Sequence, residues 1–129
     1  ENHSTPGVWQ HHDFAAAPAV YFEIAERLIG TPVDLLFDTA NACFYKQDPV
    51  RMLERVIPRV RRIHVADIVE SDTLKPVLIG QGIVPLPGIF AFLKQARFSG
   101  VLSVEEASFT GIAGVKNAVA ATRHLWMNA

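Results

Sequence analysis

The sequence predicts an α/β fold built around a parallel sheet, and three observations support this prediction. Short apolar runs, suited to strands buried on both faces, alternate with segments whose apolar residues recur at helical spacing. Glycine and proline separate these segments and mark where they stop. The resulting order of helix, strand, helix, strand, helix, strand, helix is typical of right-handed parallel crossover connections.

The first helix is predicted over residues 18–29, with Gly30 as its C-terminal stop. Its apolar residues, mostly at helical spacing, are Val20, Tyr21, Ile24, Leu28 and Ile29. The first strand is predicted over residues 33–38, because this apolar run follows Gly-Thr-Pro and closes on the acidic Asp38.

The second helix is predicted to begin at Asp48 and Pro49, since aspartate is a favoured N-cap and proline is tolerated at the first helical position. It continues through its apolar residues to an end near Pro58. The second strand is predicted over residues 62–67, and like the first it closes on polar residues.

The last two helices enclose the third strand. A helix is predicted over residues 87–96, and Gly100 turns the chain into a strand at residues 101–105. The final helix is predicted over residues 112–126, where an alanine-rich stretch favours helix and close packing. The predicted strands therefore all end in side chains that are capable of chemistry.

Two architectures accommodate these repeated units: an open doubly wound sheet and a segment of a (β/α)8 barrel. Periodicity does not choose between them. A complete barrel takes about 250 residues, so a chain of 129 residues suits half of one. We treat residues 1–129 as one partial barrel domain. Its open strand edges are expected to pair with the missing half or with a second copy of the chain.

Composition bounds the class of protein and its partners. Half of the residues are apolar and 19% are charged, as in soluble globular domains. Twelve basic and thirteen acidic residues leave a net charge of −1, which gives no field to attract nucleic acid or anionic membranes. No apolar run approaches the roughly 20 residues of a membrane-spanning helix. We expect neither nucleic acid nor membrane as a partner.

The chain contains a single cysteine, Cys43, which excludes an internal disulfide and a multi-cysteine zinc site. This cysteine usage favours a reducing cytoplasm. The sequence begins abruptly at Glu1 rather than at a methionine, which we interpret as the start of a fragment or a processed piece.

Potential metal ligands fall at the predicted strand ends: Glu1, Asp38, His64 and Glu105. In a parallel barrel the loops at these ends converge above one axis. Three carboxylates and one imidazole suit a divalent ion such as manganese, magnesium, cobalt, iron or zinc. Each residue also has a structural alternative. Glu1 would be simply solvated, Asp38 a helix cap, His64 a half-buried histidine and Glu105 an ion-pair partner.

An ordered series of short motifs covers residues 1–105. It consists of Glu-Asn-His at 1–3, Phe-Asp-Thr-Ala-Asn at 37–41, Ile-His-Val-Ala-Asp at 63–67, Gly-Gln-Gly at 80–82 and Gly-Val-Leu-Ser-Val-Glu at 100–105. In this order the motifs resemble the C-terminal half of the xylose isomerase-like TIM barrel superfamily, which includes sugar phosphate isomerases and epimerases and the family 2 AP endonucleases. The resemblance implies the end of strand five, followed by strands six to eight of the barrel.

The resemblance also implies a function for the residues at the strand ends. Glu1, Asp38, His64 and Glu105 would bind one divalent metal ion, either Mn, Zn, Mg or Co, and Glu1 and Glu105 would also act as the catalytic proton carriers. The implied activity is isomerisation or epimerisation of a small sugar, polyol derivative or hydroxy-keto acid through an enediolate. A small-molecule sugar or polyol is therefore the expected substrate.

Further polar residues lie close to these motifs, namely His3, Asn41 and Asp67. Each would either contact substrate hydroxyls and orient a ligand, or form a local hydrogen bond within its loop. We include all three as candidate substrate-binding residues.

Several departures from the family pattern bear on substrate identity. Asn41 stands where the multi-zinc endonuclease branch has histidine, and residues 68–80 lack the Asp-x-His ligands of that branch. One metal is therefore favoured over a three-zinc nuclease. Gln81 replaces a usual glutamate and Ala66 a usual lysine. The alternatives are an inosose-dehydratase-like lyase and a noncatalytic half-barrel fragment. The presence of the other barrel half, in the same chain or in a partner, would favour an enzyme over a noncatalytic fragment.

Overall fold

A three-stranded parallel sheet forms the centre of the structure, which is a computed structural model that describes residues 1–3, 13–71, 74–107 and 109–129. Strand β1 (Leu35–Asp38) lies beside β2 (Val60–Val65), and β2 lies beside β3 (Val101–Val104). Both pairings are parallel, as the sequence predicted. The α/β fold class expected from the alternation of segments is therefore confirmed.

Helices connect and follow these strands in the predicted order. They are α1 (Pro18–Arg27), α2 (Thr39–Phe44), α3 (Pro49–Val56), α4 (Leu86–Gln95) and α5 (Ile112–Asn128). The short helix α2, which begins directly after β1, was not predicted. Within the described segments, even the longest helix falls short of the length and apolar character needed to cross a bilayer.

The element boundaries differ from the predicted ones by one or two residues. Strand β1 begins later than predicted because Val33 and Asp34 are exposed and take no part in the core. Strand β2 begins earlier than predicted, at the fully buried Val60. A short 3-10 turn, Ile57–Arg59, follows α3. The α1 helix ends before Gly30, whose φ of +81° is the left-handed conformation that favours glycine.

The predicted start of α3 is confirmed in detail. The Asp48 carboxylate accepts hydrogen bonds from the backbone N–H groups of Val50 and Arg51, and Pro49 occupies the first helical position. These contacts satisfy N–H groups that have no partner inside the helix. The start of α3 could therefore be predicted from the sequence alone.

The hydrophobic core lies between one face of the sheet and helices α3 and α4. Phe37 of β1 and Ile63 and Val65 of β2 recur at every second position, as the pleat requires, and have no exposed surface. Burial of each such side chain contributes about 2 kcal/mol to stability. The helices add to the same cluster the side chains of Leu53, Val56, Ile89, Phe90 and Leu93.

The opposite face of the sheet is partly polar. Because side chains alternate along a strand, Arg62 and His64 of β2 face away from the core, where Arg62 is exposed and His64 is half-buried. Their partners in β3 are Val101, which is 53% exposed, and Ser103. In a closed barrel this face would line the interior.

Cys43 is predicted to react slowly with alkylating reagents. Its thiol is buried in α2, and this burial, with smaller effects from the charges of Asp67, Asp38 and Asp48, raises its pKa to about 11. Since the thiolate is the nucleophile, iodoacetamide at pH 8 should modify the folded chain about a hundredfold more slowly than the chain unfolded in urea. Equal rates in both states, followed by mass spectrometry, would contradict this prediction.

Candidate metal centre

The predicted ligands converge at the carboxyl end of the sheet. Asp38 is the last residue of β1 and pairs directly with His64 of β2. Glu105 follows β3, and its backbone N–H donates a hydrogen bond of 3.0 Å to the carbonyl oxygen of Val65. The side chain of Glu1 reaches the same place, since its carboxylate lies near His64. Parallel pairing therefore gathers residues that lie far apart in the sequence.

The distances between the potential ligand atoms are short. Ligand atoms of Glu1, Asp38 and His64 all lie within 4.8 Å of one another. The Nδ1 atom of His64 lies 3.8 Å from Oε1 of Glu1 and 3.2 Å from Oε2 of Glu105. The structure thus brings together the four residues that were predicted from the sequence as metal ligands. Their role as ligands stays a prediction.

The chemistry of this cluster fits a divalent cation. Nδ1 of His64 is buried and makes no well-directed hydrogen bond with the described residues, although Oε2 of Glu105 lies 3.2 Å away. A buried nitrogen of this kind is costly unless something binds it. The carboxylates around it, when ionised, repel one another unless a positive charge lies between them. Metal bonds of about 2.1 Å place ligand atoms roughly 3–4 Å apart, so small side-chain movements would suffice.

Asp38 combines a structural contact with an unusual electrostatic environment. Its carboxylate caps α2 by accepting a hydrogen bond of 2.6 Å from the backbone N–H of Asn41, and only 2% of the residue is exposed. Burial raises the pKa of Asp38 well above its usual value, the Asn41 hydrogen bond opposes this rise, and the charges of Glu105 and Glu1 add to it. A nearby cation would stabilise the ionised form.

Glu1 and Glu105 are the more accessible carboxylates of the cluster. Their side chains are 30% and 56% exposed, respectively. The Asn41 side-chain amide donates a hydrogen bond of 3.5 Å to Oε1 of Glu1. Carboxylates that are close to a metal site and still reachable from solvent can exchange protons with a bound molecule.

The candidate substrate-binding residues Asn41 and His3 have different surroundings. Asn41 lies at the cluster, because its backbone binds Asp38 and its side chain binds Glu1. His3 places Nδ1 at 3.4 Å from Oδ2 of Asp13, which immediately precedes a 3-10 turn. Asn41 is therefore positioned to orient a ligand, whereas the 3.4 Å contact between His3 and Asp13 brings residues 1–3 close to the segment before α1.

The third candidate, Asp67, is part of the architecture of a loop. It is 2% exposed, and its carboxylate accepts hydrogen bonds from the backbone N–H groups of Ile68, Gly80, Gly82 and Val84 at 2.9–3.1 Å. All these donors belong to the connection between β2 and α4. The structure favours the local hydrogen-bonding alternative for Asp67, and we do not assign it to a substrate.

Two buried polar side chains that sequence reasoning missed hold the strand ends in place. Asn2 makes two hydrogen bonds with the backbone of Asp38, and Thr39 makes two with the backbone of Ala66. Both residues lie within the quoted motifs, at 1–3 and 37–41, but no periodic pattern assigns either of them a role.

The fold and the site together define a class of protein. Parallel strands that end in acidic and imidazole side chains are the arrangement on which (β/α)8-barrel enzymes build their active sites. The chain belongs to the xylose isomerase-like TIM barrel family, whose model matches residues 1–127. The family resemblance drawn from the ordered motifs is therefore confirmed.

Curated relatives of this chain include inosose dehydratases from Bacillus. Inosose dehydratase 1 of Bacillus cereus is 27% identical over 89 residues, which cover 57% of this chain and 30% of the relative. The inosose dehydratase of Bacillus anthracis is 25% identical over 114 residues, which cover 74% of this chain and 38% of the relative. The chain thus spans about a third of the length of these enzymes.

Similar solved structures support the same fold. The probable 3-DHS dehydratase AsbF involved in petrobactin synthesis, from Bacillus anthracis, superposes with a TM-score of 0.71 at 16% identity, covering 88% of this chain and 46% of that one. A xylose isomerase domain protein from Planctomyces limnophilus gives 0.67 at 20% identity, covering 84% and 42%. The chain therefore has the fold of part of a TIM barrel.

Proposed function

We propose that this chain carries part of the active site of a metal-dependent dehydratase, which removes water from a polyhydroxylated ketone of the inosose type. The observation that carries the proposal is the convergence of three carboxylates around the imidazole of His64, whose Nδ1 is buried. The reaction class is suggested by the curated relatives, which are inosose dehydratases. The motifs imply isomerisation first, with this lyase reaction as the alternative.

In this proposal Glu1, Asp38, His64 and Glu105 hold one divalent ion. Their mixture of oxygen and nitrogen donors suits Mn²⁺, Co²⁺, Zn²⁺ or Mg²⁺. When bound, such an ion would supply Lewis-acid polarisation of the substrate, which would acidify the C–H bond beside its carbonyl. Asn41 orients the Glu1 carboxylate through the 3.5 Å contact of its amide.

The two accessible glutamates supply the proton transfers. One of them, ionised, removes the proton from the carbon beside the carbonyl, and the C–H electron pair becomes part of a new C=C bond. The C–O bond at the next carbon then breaks, and its hydroxyl leaves as water with a proton donated by the other glutamate in its acid form. The 3.8 and 3.2 Å distances of Glu1 and Glu105 from the same atom of His64 support action on one bound molecule.

Isomerisation or epimerisation of a sugar is the second candidate. The same two glutamates support it, because a second carboxylate can return the proton to carbon rather than to a leaving hydroxyl. The two outcomes share the metal ligands and the first proton transfer. They differ only in whether a C–O bond breaks, so the product distinguishes them.

We also propose that further strands complete the barrel around this sheet. Arg62 faces the same side as His64 and forms no ion pair within the described part of the chain. A closed barrel would bury Arg62, and a buried guanidinium needs a carboxylate partner. The closing strands are therefore expected to present an Asp or Glu at the level of Arg62, whether they come from a missing half-barrel or from a second copy.

The isolated 129-residue chain is expected to self-associate, because the outer edges of β1 and β3 leave strand hydrogen-bonding groups without a neighbouring strand among the described residues. Sedimentation velocity should detect dimers or larger species at micromolar concentration. A folded monomer that persists at all concentrations would contradict this expectation.

Product analysis tests the proposed reaction. The complete barrel containing this chain is incubated in deuterated water with inosose, a panel of ketoses or hydroxypyruvate, with Mn²⁺ or with a chelator, and followed by NMR and mass spectrometry. We expect a metal-dependent product of inosose that is lighter by one molecule of water. Deuterium uptake at carbon without loss of water would favour the isomerase or epimerase instead. Absence of both reactions would contradict the proposal.

A further inference from the structure

We propose that Asn2 is a positioning residue, whose side-chain amide fixes the Glu1 and Asp38 carboxylates relative to each other. This inference rests on the proposed metal site and extends it to a residue that has no ligand atom of its own in the cluster. A carboxamide suits this task, because it offers one hydrogen-bond donor and one acceptor on the same rigid plane.

The contacts of Asn2 are specific to the last residue of β1. Its Nδ2 donates a hydrogen bond of 2.8 Å to the carbonyl oxygen of Asp38, and its Oδ1 accepts one of 2.7 Å from the backbone N–H of Asp38. Both bonds are buried, and Asn2 is 4% exposed. The amide therefore binds both backbone groups of Asp38, as a neighbouring strand does in a sheet.

This arrangement couples two of the proposed ligands. Glu1 is joined to Asn2 by a peptide bond, so the amide that holds the backbone of Asp38 also fixes where the Glu1 side chain starts. Ligand atoms of Glu1, Asp38 and His64 lie within 4.8 Å of one another. Sites of this kind tolerate displacements of only about 0.5 Å. Loss of the clamp would free Glu1 and loosen Asp38, which sheet pairing and the Asn41 contact still hold in part.

Thr39 provides the structural comparison within the same chain. Its hydroxyl donates a hydrogen bond of 2.8 Å to the carbonyl oxygen of Ala66 and accepts one of 3.1 Å from the Ala66 N–H. Thr39 is as buried as Asn2 and also makes two bonds to one backbone residue. Ala66, however, carries no ligand atom. Thr39 follows the proposed ligand Asp38 in the chain, but its side chain binds Ala66, whereas the Asn2 side chain binds Asp38 itself. Removing either clamp should loosen the fold, and loss of the Asn2 clamp should displace ligands much more.

The test measures Mn²⁺ binding by calorimetry and melting temperature without metal, using the complete barrel and the variants Asn2→Ala, Thr39→Val and Asp38→Asn. Asn2→Ala should raise the dissociation constant for Mn²⁺ about 10- to 100-fold, as loss of a group that orients a ligand does. Thr39→Val should lower the melting temperature about as much as Asn2→Ala does. It should change the dissociation constant for Mn²⁺ by less than about threefold.

Each result supports or overturns the inference. Wild-type affinity in Asn2→Ala, with weakened binding in Asp38→Asn, overturns the role of Asn2 and leaves the metal site in place. Equal weakening in Thr39→Val also overturns it, because general loosening then explains the effect. No Mn²⁺ binding by the wild type, or unchanged binding in Asp38→Asn, overturns the proposed site itself. If Asn2→Ala does not fold, Asn2→Ser replaces it, and wild-type binding by a folded Asn2→Ser overturns the inference.

Discussion

Glu105→Gln is expected to slow metal-dependent proton exchange with substrate by about 10²- to 10⁴-fold at saturating metal, since an amide cannot act as the base or acid. Asp38→Asn is expected to weaken metal binding by at least about tenfold, because it removes a buried carboxylate from the cluster. The measurements are deuterium exchange by NMR and titration with Mn²⁺, both on the complete barrel. Together the two measurements distinguish a loss of metal binding from a loss of proton transfer.

Glu106→Gln is the matched control for Glu105→Gln. Glu106 is the next residue in the chain, and its carboxylate lies near Gly114 of α5 rather than near His64. Because side chains alternate along an extended chain, only one of these two glutamates can face the cluster. We expect Glu106→Gln to exchange protons at nearly the wild-type rate. Full metal affinity and full exchange in both Asp38→Asn and Glu105→Gln would make the noncatalytic alternative the better one.

The parallel sheet and its ligand-bearing end could be predicted because both follow from local sequence patterns. Apolar runs that close on Asp38, His64 or Glu105 mark strands and their ends, and parallel pairing then places those ends side by side. The start of α3 at Asp48 could be predicted for the same reason, since an N-cap acts on N–H groups only two and three residues away.

Features that depend on contacts distant in sequence escaped prediction. Helix α2 has six residues, too few to display a helical repeat, and all but one of them are buried. Asp67 accepts hydrogen bonds from N–H groups up to 17 positions further along the chain. Asn2 contacts a residue 36 positions away. Such partners become visible only when the loops have been placed in three dimensions.

Asp67→Asn is expected to destabilise the fold by about 3 kcal/mol. Its carboxylate accepts hydrogen bonds from the backbone of Ile68 and Val84 on one oxygen and of Gly80 and Gly82 on the other. An amide would turn one of these acceptors into an NH₂ donor that faces N–H groups. Leaving buried donors without an acceptor costs about 1–3 kcal/mol, and bonds to a charged group are the stronger ones.

Urea unfolding of the chain, followed by circular dichroism, measures this effect, and two glycine variants serve as controls. In Gly82→Ala the added methyl group would collide with the Asp67 carboxylate and the Ile68 carbonyl, so a comparable loss is expected. In Gly88→Ala it would enter open space on α4, where alanine stabilises a helix by up to about 1 kcal/mol relative to glycine. If Asp67→Asn and Gly82→Ala both kept wild-type stability, the carboxylate would not be holding this loop, and Asp67 would again become a candidate for contact with substrate.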